Sequence, residues 1–186
     1  MFQFFRKRRA EKQTAYKLYK ELVEQARRPV FYTDYKVADT IEGRFDMILL
    51  HLFLIDDRLE QAGNKFMSLR RYLQEAMVSD MDRSFREIGV GDMSVGKEMK
   101  KVGSAWLGRQ KAYADSFLED APAGALSAAL SKNLYSDRLD APVVAMASYV
   151  HETREVLAST EIDSILDIKF IIPLPKSGVL TEKASS

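Results

Sequence analysis

One segment limits the folds open to this chain more than any other. From Asp39 onward, Ile41, Phe45, Ile48, Leu52, Ile55 and Leu59 are spaced four, three, four, three and four residues apart, the step that keeps side chains on one helix face. Met47, Leu50 and Leu54 form a second seam nearly opposite the first. A helix that is apolar on two sides has no wet side to spare and belongs at the centre of a bundle. Asp39, with Glu42 three residues on, reads as a variant capping box opening this helix, and Gly63-Asn64 closes it.

The flanking segments supply partners for such a core helix. Residues 2–26 place Tyr16, Tyr19, Leu22, Val23 and Ala26 at helical spacing and stop before Pro29. Residues 27–38 (RRPVFYTDYKVA) lack a helical period and read as an extended loop, with Phe31, Tyr32 and Tyr35 packed on the body. A third helix runs over 65–88 through Phe66, Leu69, Leu73, Met77, Met81, Phe85 and Ile88. A fourth carries Val95, Met99, Val102, Trp106, Tyr113 and Phe117 on one face. Asp92 or Ser94 is expected to cap the fourth helix. Gly103 and Gly108 inside it predict a close helix contact or a kink, since each costs ~1 kcal/mol relative to alanine. Leu126, Leu130 and Leu134 mark a short fifth helix. Pro142 is expected in the first turn of a sixth, with Val143, Met146, Val150 and Leu157 facing inward; residues 162–168 allow one or two more turns. No stretch alternates apolar and polar residues long enough for a sheet. The chain therefore reads as all-α: a single-domain helical bundle of about six helices (27–170), preceded by a basic amphipathic arm (1–26) and followed by a disordered tail (171–186) rich in Pro, Gly and Ser.

Several chemistries are excluded or disfavoured. With no cysteine there are no disulfides, no thiolate nucleophile and no Cys-ligated zinc. The longest uncharged runs have 11 residues, too short for a spanning helix. Residues 91–97 (GDMSVGK) match the opening of a phosphate-binding loop, but Glu98 stands where the magnesium-binding hydroxyl belongs and a helix, not a strand, precedes them. The only histidines, His51 and His151, lack the paired Glu-x-x-His motifs of di-iron bundles. No serine sits in a nucleophile elbow. Asp56-Asp57 and the pair Asp80 and Asp82 read as solvated carboxylates with arginine partners. The expectation is no catalytic residue, no metal and no cofactor. Arg44, His51 and Arg58, seven residues apart, form a basic stripe beside the apolar seam; His51 reads most simply as a histidine at the edge of the core, and the sharper reading is that the three pair with acidic groups of a neighbouring helix or a partner. The charged, turn-rich set Asp82, Arg86, Asp92 and Lys97 is a second candidate for a specific polar contact, because packing alone does not call for it.

Charge is unevenly placed. Residues 1–28 carry +6 and the remaining chain −5. Phe2, Phe4 and Phe5 beside Arg6, Lys7, Arg8 and Arg9 suit an anionic membrane surface, with rings at the headgroup boundary and cations on the lipid. RNA is the competing anion; nothing points to DNA.

Two blocks carry a resemblance: residues 27–34 (RRPVFYTD) with 37–54 (VADTIEGRFDMILLHLFL), and residues 80–97 (DMDRSFREIGVGDMSVGK). A weaker third block is 106–113 (WLGRQKAY). In order and spacing these resemble the ubiquinol–cytochrome c chaperone family, assembly factors of respiratory complex III. The resemblance implies a non-enzymatic chaperone that binds newly made cytochrome b and holds it during assembly, with the ribosome or a small partner protein as further contacts. It also implies a bacterial member acting peripherally at the cytoplasmic face of the inner membrane. On that reading the second seam of the core helix, with Met77, Met81, Met93 and Met99, has two roles open to it, adaptable apolar surface for a client or, as the plainer reading of the methionines, ordinary core. The alternative is a peripheral helical module that binds lipid or quinone.

Overall fold

A computed structural model of the chain describes residues 2–169, 172, 173 and 176, with side chains from Phe5 onward. Among these residues every regular element is helical: α1 (Phe2–Ala26), α2 (Val30–Thr33), α3 (Ile41–Gln61), a 3-10 turn (Asn64–Phe66), α4 (Met67–Glu87), α5 (Asp92–Asp115), α6 (Ala125–Tyr135), α7 (Val143–Ser159) and α8 (Ile162–Leu166). The six long helices are those the sequence predicts. α2 and α8 are single turns, and α2 lies within the stretch expected to be extended. None of the described helices is long and apolar enough to cross a membrane.

α3 is the axis of the bundle. Every residue from Met47 to Asp56 is buried, so no face of that stretch reaches water, and α1, α4, α5, α6 and α7 all pack against it. Met47, Leu50 and Leu54 are therefore core, as are Met77 and Met81. Of the two roles open to these groups the structure gives them core and not client surface, because the surrounding helices consume both seams of α3. The first seam starts at Phe45, since Ile41 stays 60 % exposed at the helix start.

The caps differ from the sequence reading. Thr40, not Asp39, opens α3: its extended backbone lets Oγ1 accept the Gly43 N–H at 3.1 Å, while the Asp39 carboxylate accepts from Arg44 Nε at 2.6 Å. α5 is opened by Gly91 without a side-chain cap; Asp92 already lies in the helix and Ser94 follows it. Pro142 stands one position before α7 rather than in its first turn. Asp56 is not solvated. Arg70 grips it through Nε at 3.0 Å and Nη2 at 2.8 Å, and Gln110 donates to it at 2.8 Å. Residues 27–38 do pack inward, with Phe31 and Tyr35 buried and the Tyr135 hydroxyl donating to the Tyr35 carbonyl at 2.8 Å. The expected disordered tail lies outside the described residues, apart from three positions. Pro173 O accepts from Gln25 Nε2, Lys176 N–H donates to the Tyr35 hydroxyl, and Ile172 packs against the core.

The glycines invert one expectation. A Cβ at Gly103 or Gly108 would meet nothing within 4 Å, whereas a Cβ at Gly43 would sit 2.0 Å from the Ala38 carbonyl oxygen. The close approach is where the 27–40 segment folds back over the start of α3. Gly43→Ala is therefore expected to lower the urea midpoint by the equivalent of about 2 kcal/mol or more, an overpacking cost. Gly103→Ala and Gly108→Ala are expected to raise it by up to ~1 kcal/mol each.

Candidate functional site

The α4–α5 corner gathers three of the four residues in the second candidate set. Arg86, near the end of α4, binds Asp82 one turn back through Nε at 2.8 Å and reaches across the bend to Asp92 in the first turn of α5. All three ionised groups are accessible. The Arg86 guanidinium, by its hydrogen bond, holds the Asp82 carboxyl below its ordinary range. Gly89, at φ +86°, makes the bend. Lys97 lies one turn further along α5, exposed and outside this network. Beside the clamp stand Ile88, 57 % exposed, and Met93, fully exposed, which are large apolar groups with nothing to cover them. Of the methionines singled out for surface use, Met93 is the one that offers it fully. The GDMSVGK string forms this bend and the start of α5, after a helix, so it lacks the strand-to-helix entry of a phosphate-binding loop.

The basic arm is helical. α1 runs unbroken from the exposed cations into the core, where Ala15, Leu18, Leu22 and Ala26 are buried. Arg6, Lys7, Arg8 and Arg9 are exposed, with Lys7 3.9 Å from Glu11. Phe5 is 60 % exposed; the side chains of Phe2 and Phe4 lie outside the described residues.

The Arg44, His51 and Arg58 stripe does not reach a partner as a unit. Arg44 pairs with Asp39 and lies over the Tyr32 ring. Arg58 donates to the carbonyls of Leu157 at 2.7 Å and Thr160 at 3.0 Å, tying α3 to the last turn of α7, where a cation also suits the helix dipole. His51 is wholly buried. Its Nδ1 lies 2.8 Å from the Met47 carbonyl, an acceptor, so Nδ1 carries the proton and Nε2 accepts from the Tyr149 hydroxyl at 2.8 Å. The edge of Phe31 closes over the ring. His51 is thus a core residue, not a partner contact, because the neighbours of α3 leave that face no exit. Sequence reasoning missed its counterpart Tyr149, which is 98 residues away and has no local signal.

Burial holds the His51 imidazole at about 4, below its ordinary 6.5, although the bond to Met47 works against the shift. Between those values the unfolded chain takes up a proton that the folded chain refuses. Acidification through this window therefore removes stability, by about 3 kcal/mol in all. Asp46 acts in the opposite sense. Burial raises its carboxyl to about 6 despite Arg109 at 2.7 Å, so folding gains as pH falls from about 6 toward 4. A variant separates the two. The stability gap between the wild type and His51→Gln, read from urea midpoints, is expected to narrow by about 2–3 kcal/mol between pH 7 and pH 4.5. A constant gap would show that His51 is not held neutral.

Comparison with known proteins agrees with this architecture. The chain matches the model of the family described as ubiquinol-cytochrome C chaperone over residues 33–172. It also matches the crystal structure of the Cbp3 homolog from Brucella abortus with a TM-score of 0.79 and 30 % sequence identity, over 94 % of this chain and 96 % of that one. A search of curated proteins gives no match. The resemblance carried by residues 27–54 and 80–97 extends through α7 and α8, and the chain belongs to the ubiquinol-cytochrome c chaperone family.

Proposed function

We propose that this chain is a non-enzymatic assembly chaperone that binds newly made cytochrome b and supports assembly of the ubiquinol–cytochrome c reductase complex, working peripherally at the cytoplasmic face of the inner membrane. Family membership over residues 33–172 carries the reading. The α4–α5 corner supplies the means. An exposed thioether and an exposed Ile88 flank a guanidinium that already balances two carboxylates. Met adapts to varied apolar segments. Arg86 can trade one carboxylate for an acceptor on the client at little cost, because every partner it has is solvated. The groove between α3 and α5 sets Phe53, Leu107 and Ala114 among the carboxylates Asp57, Glu60 and Asp115, and that acidic rim suits an uncharged quinone less well than an apolar slot does.

A photo-crosslinking residue in place of Met93 is expected to form an adduct with nascent cytochrome b, and one in place of Val144, exposed on α7, is not. Met93→Asp is expected to weaken client capture about tenfold without moving the melting temperature, since that side chain touches nothing in the fold. Arg86→Ala is expected to weaken capture similarly. Normal cytochrome b and complex III levels in a deletion strain growing by respiration would rule out the function.

A further inference from the structure

The cationic character of α1 does not end with the arm. Arg6, Arg9, Gln13, Lys17, Lys20, Glu24 and Arg27 follow one another in steps of three or four residues, and all seven are exposed. They form one row along the helix, about 32 Å from end to end at the helical rise, with five cations against one carboxylate. The opposite side of the same helix carries Ala15, Leu18, Leu22 and Ala26 in the core, so packing fixes the roll of α1 and holds the row outward. The second half of the row runs beside the body, where Lys20, Glu24 and Arg27 border a groove between α1 and α4 that is also lined by Tyr16, Ser79, Asp80 and Arg83, three cations against two carboxylates.

We propose that this face, along its whole length and not only at residues 6–9, docks on a bilayer of anionic phospholipid, with α1 lying in the membrane plane and the body resting on it through Lys17, Lys20 and Arg27. The inference deepens the membrane attachment put forward above and does not depend on the identity of the client. Three observations favour lipid. The first turn of α1 holds no acidic residue while cations crowd its first turns, a placement that opposes the helix dipole and that external anions relieve. Phe5 and Tyr16 stand exposed beside the row, at the level where aromatic rings settle among headgroups. Outside residues 1–28 the chain carries −5, so an anionic sheet attracts this side of the molecule and repels the rest. A straight row on a convex helix matches a flat charged plane. Single-stranded RNA is held in a concave groove, whereas this row lies on the convex outer face of a helix.

The test uses the full chain and sedimentation with vesicles of phosphatidylglycerol in phosphatidylcholine, against phosphatidylcholine alone. The wild type is expected to bind the anionic vesicles, to release in salt, and to ignore the neutral ones. The body variant Lys17→Gln/Lys20→Gln/Arg27→Gln is expected to lose about 100-fold in affinity, at roughly fivefold per cation near the surface, with an unchanged circular-dichroism melting curve. The arm variant Arg6→Gln/Lys7→Gln/Arg8→Gln/Arg9→Gln is expected to lose at least as much. Binding by the body variant equal to the wild type, with loss only in the arm variant, overturns the in-plane docking and leaves a simple arm tether. If the wild type ignores anionic vesicles, or binds single-stranded RNA instead, the proposal falls and membrane attachment falls with it.

Discussion

The molecule is organised around a helix that water does not reach. Ten consecutive residues of α3, Met47 to Asp56, are buried. An α-helix tolerates this because its backbone polar groups bond within the helix; what remains is to cover its side chains. Five long helices do so, and each needs only one apolar stripe of its own. The constraint then falls on the two polar residues within that stretch, since a buried polar group without partners costs far more than a satisfied one returns. His51 is answered by α7 through Tyr149, and Asp56 by α4 and α5 through Arg70 and Gln110. Beyond contributing stability, these contacts fix how each neighbour is turned and shifted along the axis, because a slip of one residue strands a buried proton or charge.

With the interior accounted for, the features available for work lie at the periphery. They are of two kinds: a cationic helix face, and a compact charged bend flanked by uncovered apolar side chains. The mildly acidic remainder of the surface keeps them electrically distinct. An assembly factor for a membrane protein needs both a place to wait near the bilayer and a surface that accepts varied apolar segments, and the two sit on different helices, so neither needs to be vacated for the other.

The helical class, the six long helices and the central place of α3 were legible because they depend on period, and period is local. The family was legible because two long blocks of unusual composition survive as strings. The misreadings share one cause. Asp39 as the cap of α3 and Gly103 and Gly108 as contact points are locally reasonable; each was decided by contacts that helical period does not encode, as was the choice between core and surface for His51 and Met47. Thr40 displaced Asp39 because Arg44 takes the aspartate. The tight approach fell at Gly43 because residues 27–38 fold back over it. The bend carrying Arg86 and Asp92 was found because both partners of the clamp lie within six residues, whereas His51 and Tyr149 do not.

α1 serves two environments with one uninterrupted rod. Its outer turns, residues 5–10, are exposed; short isolated helices are marginal, and these turns persist by elongation from those seeded in the core. The two halves therefore share one cooperative unit. Whatever grips the outer turns adds its binding energy to the anchorage of the inner ones, and whatever loosens Leu18 or Leu22 unwinds the part that reaches out. Attachment and folding are thereby linked through a single length of backbone, and occupancy at the far end is felt as firmness at the centre.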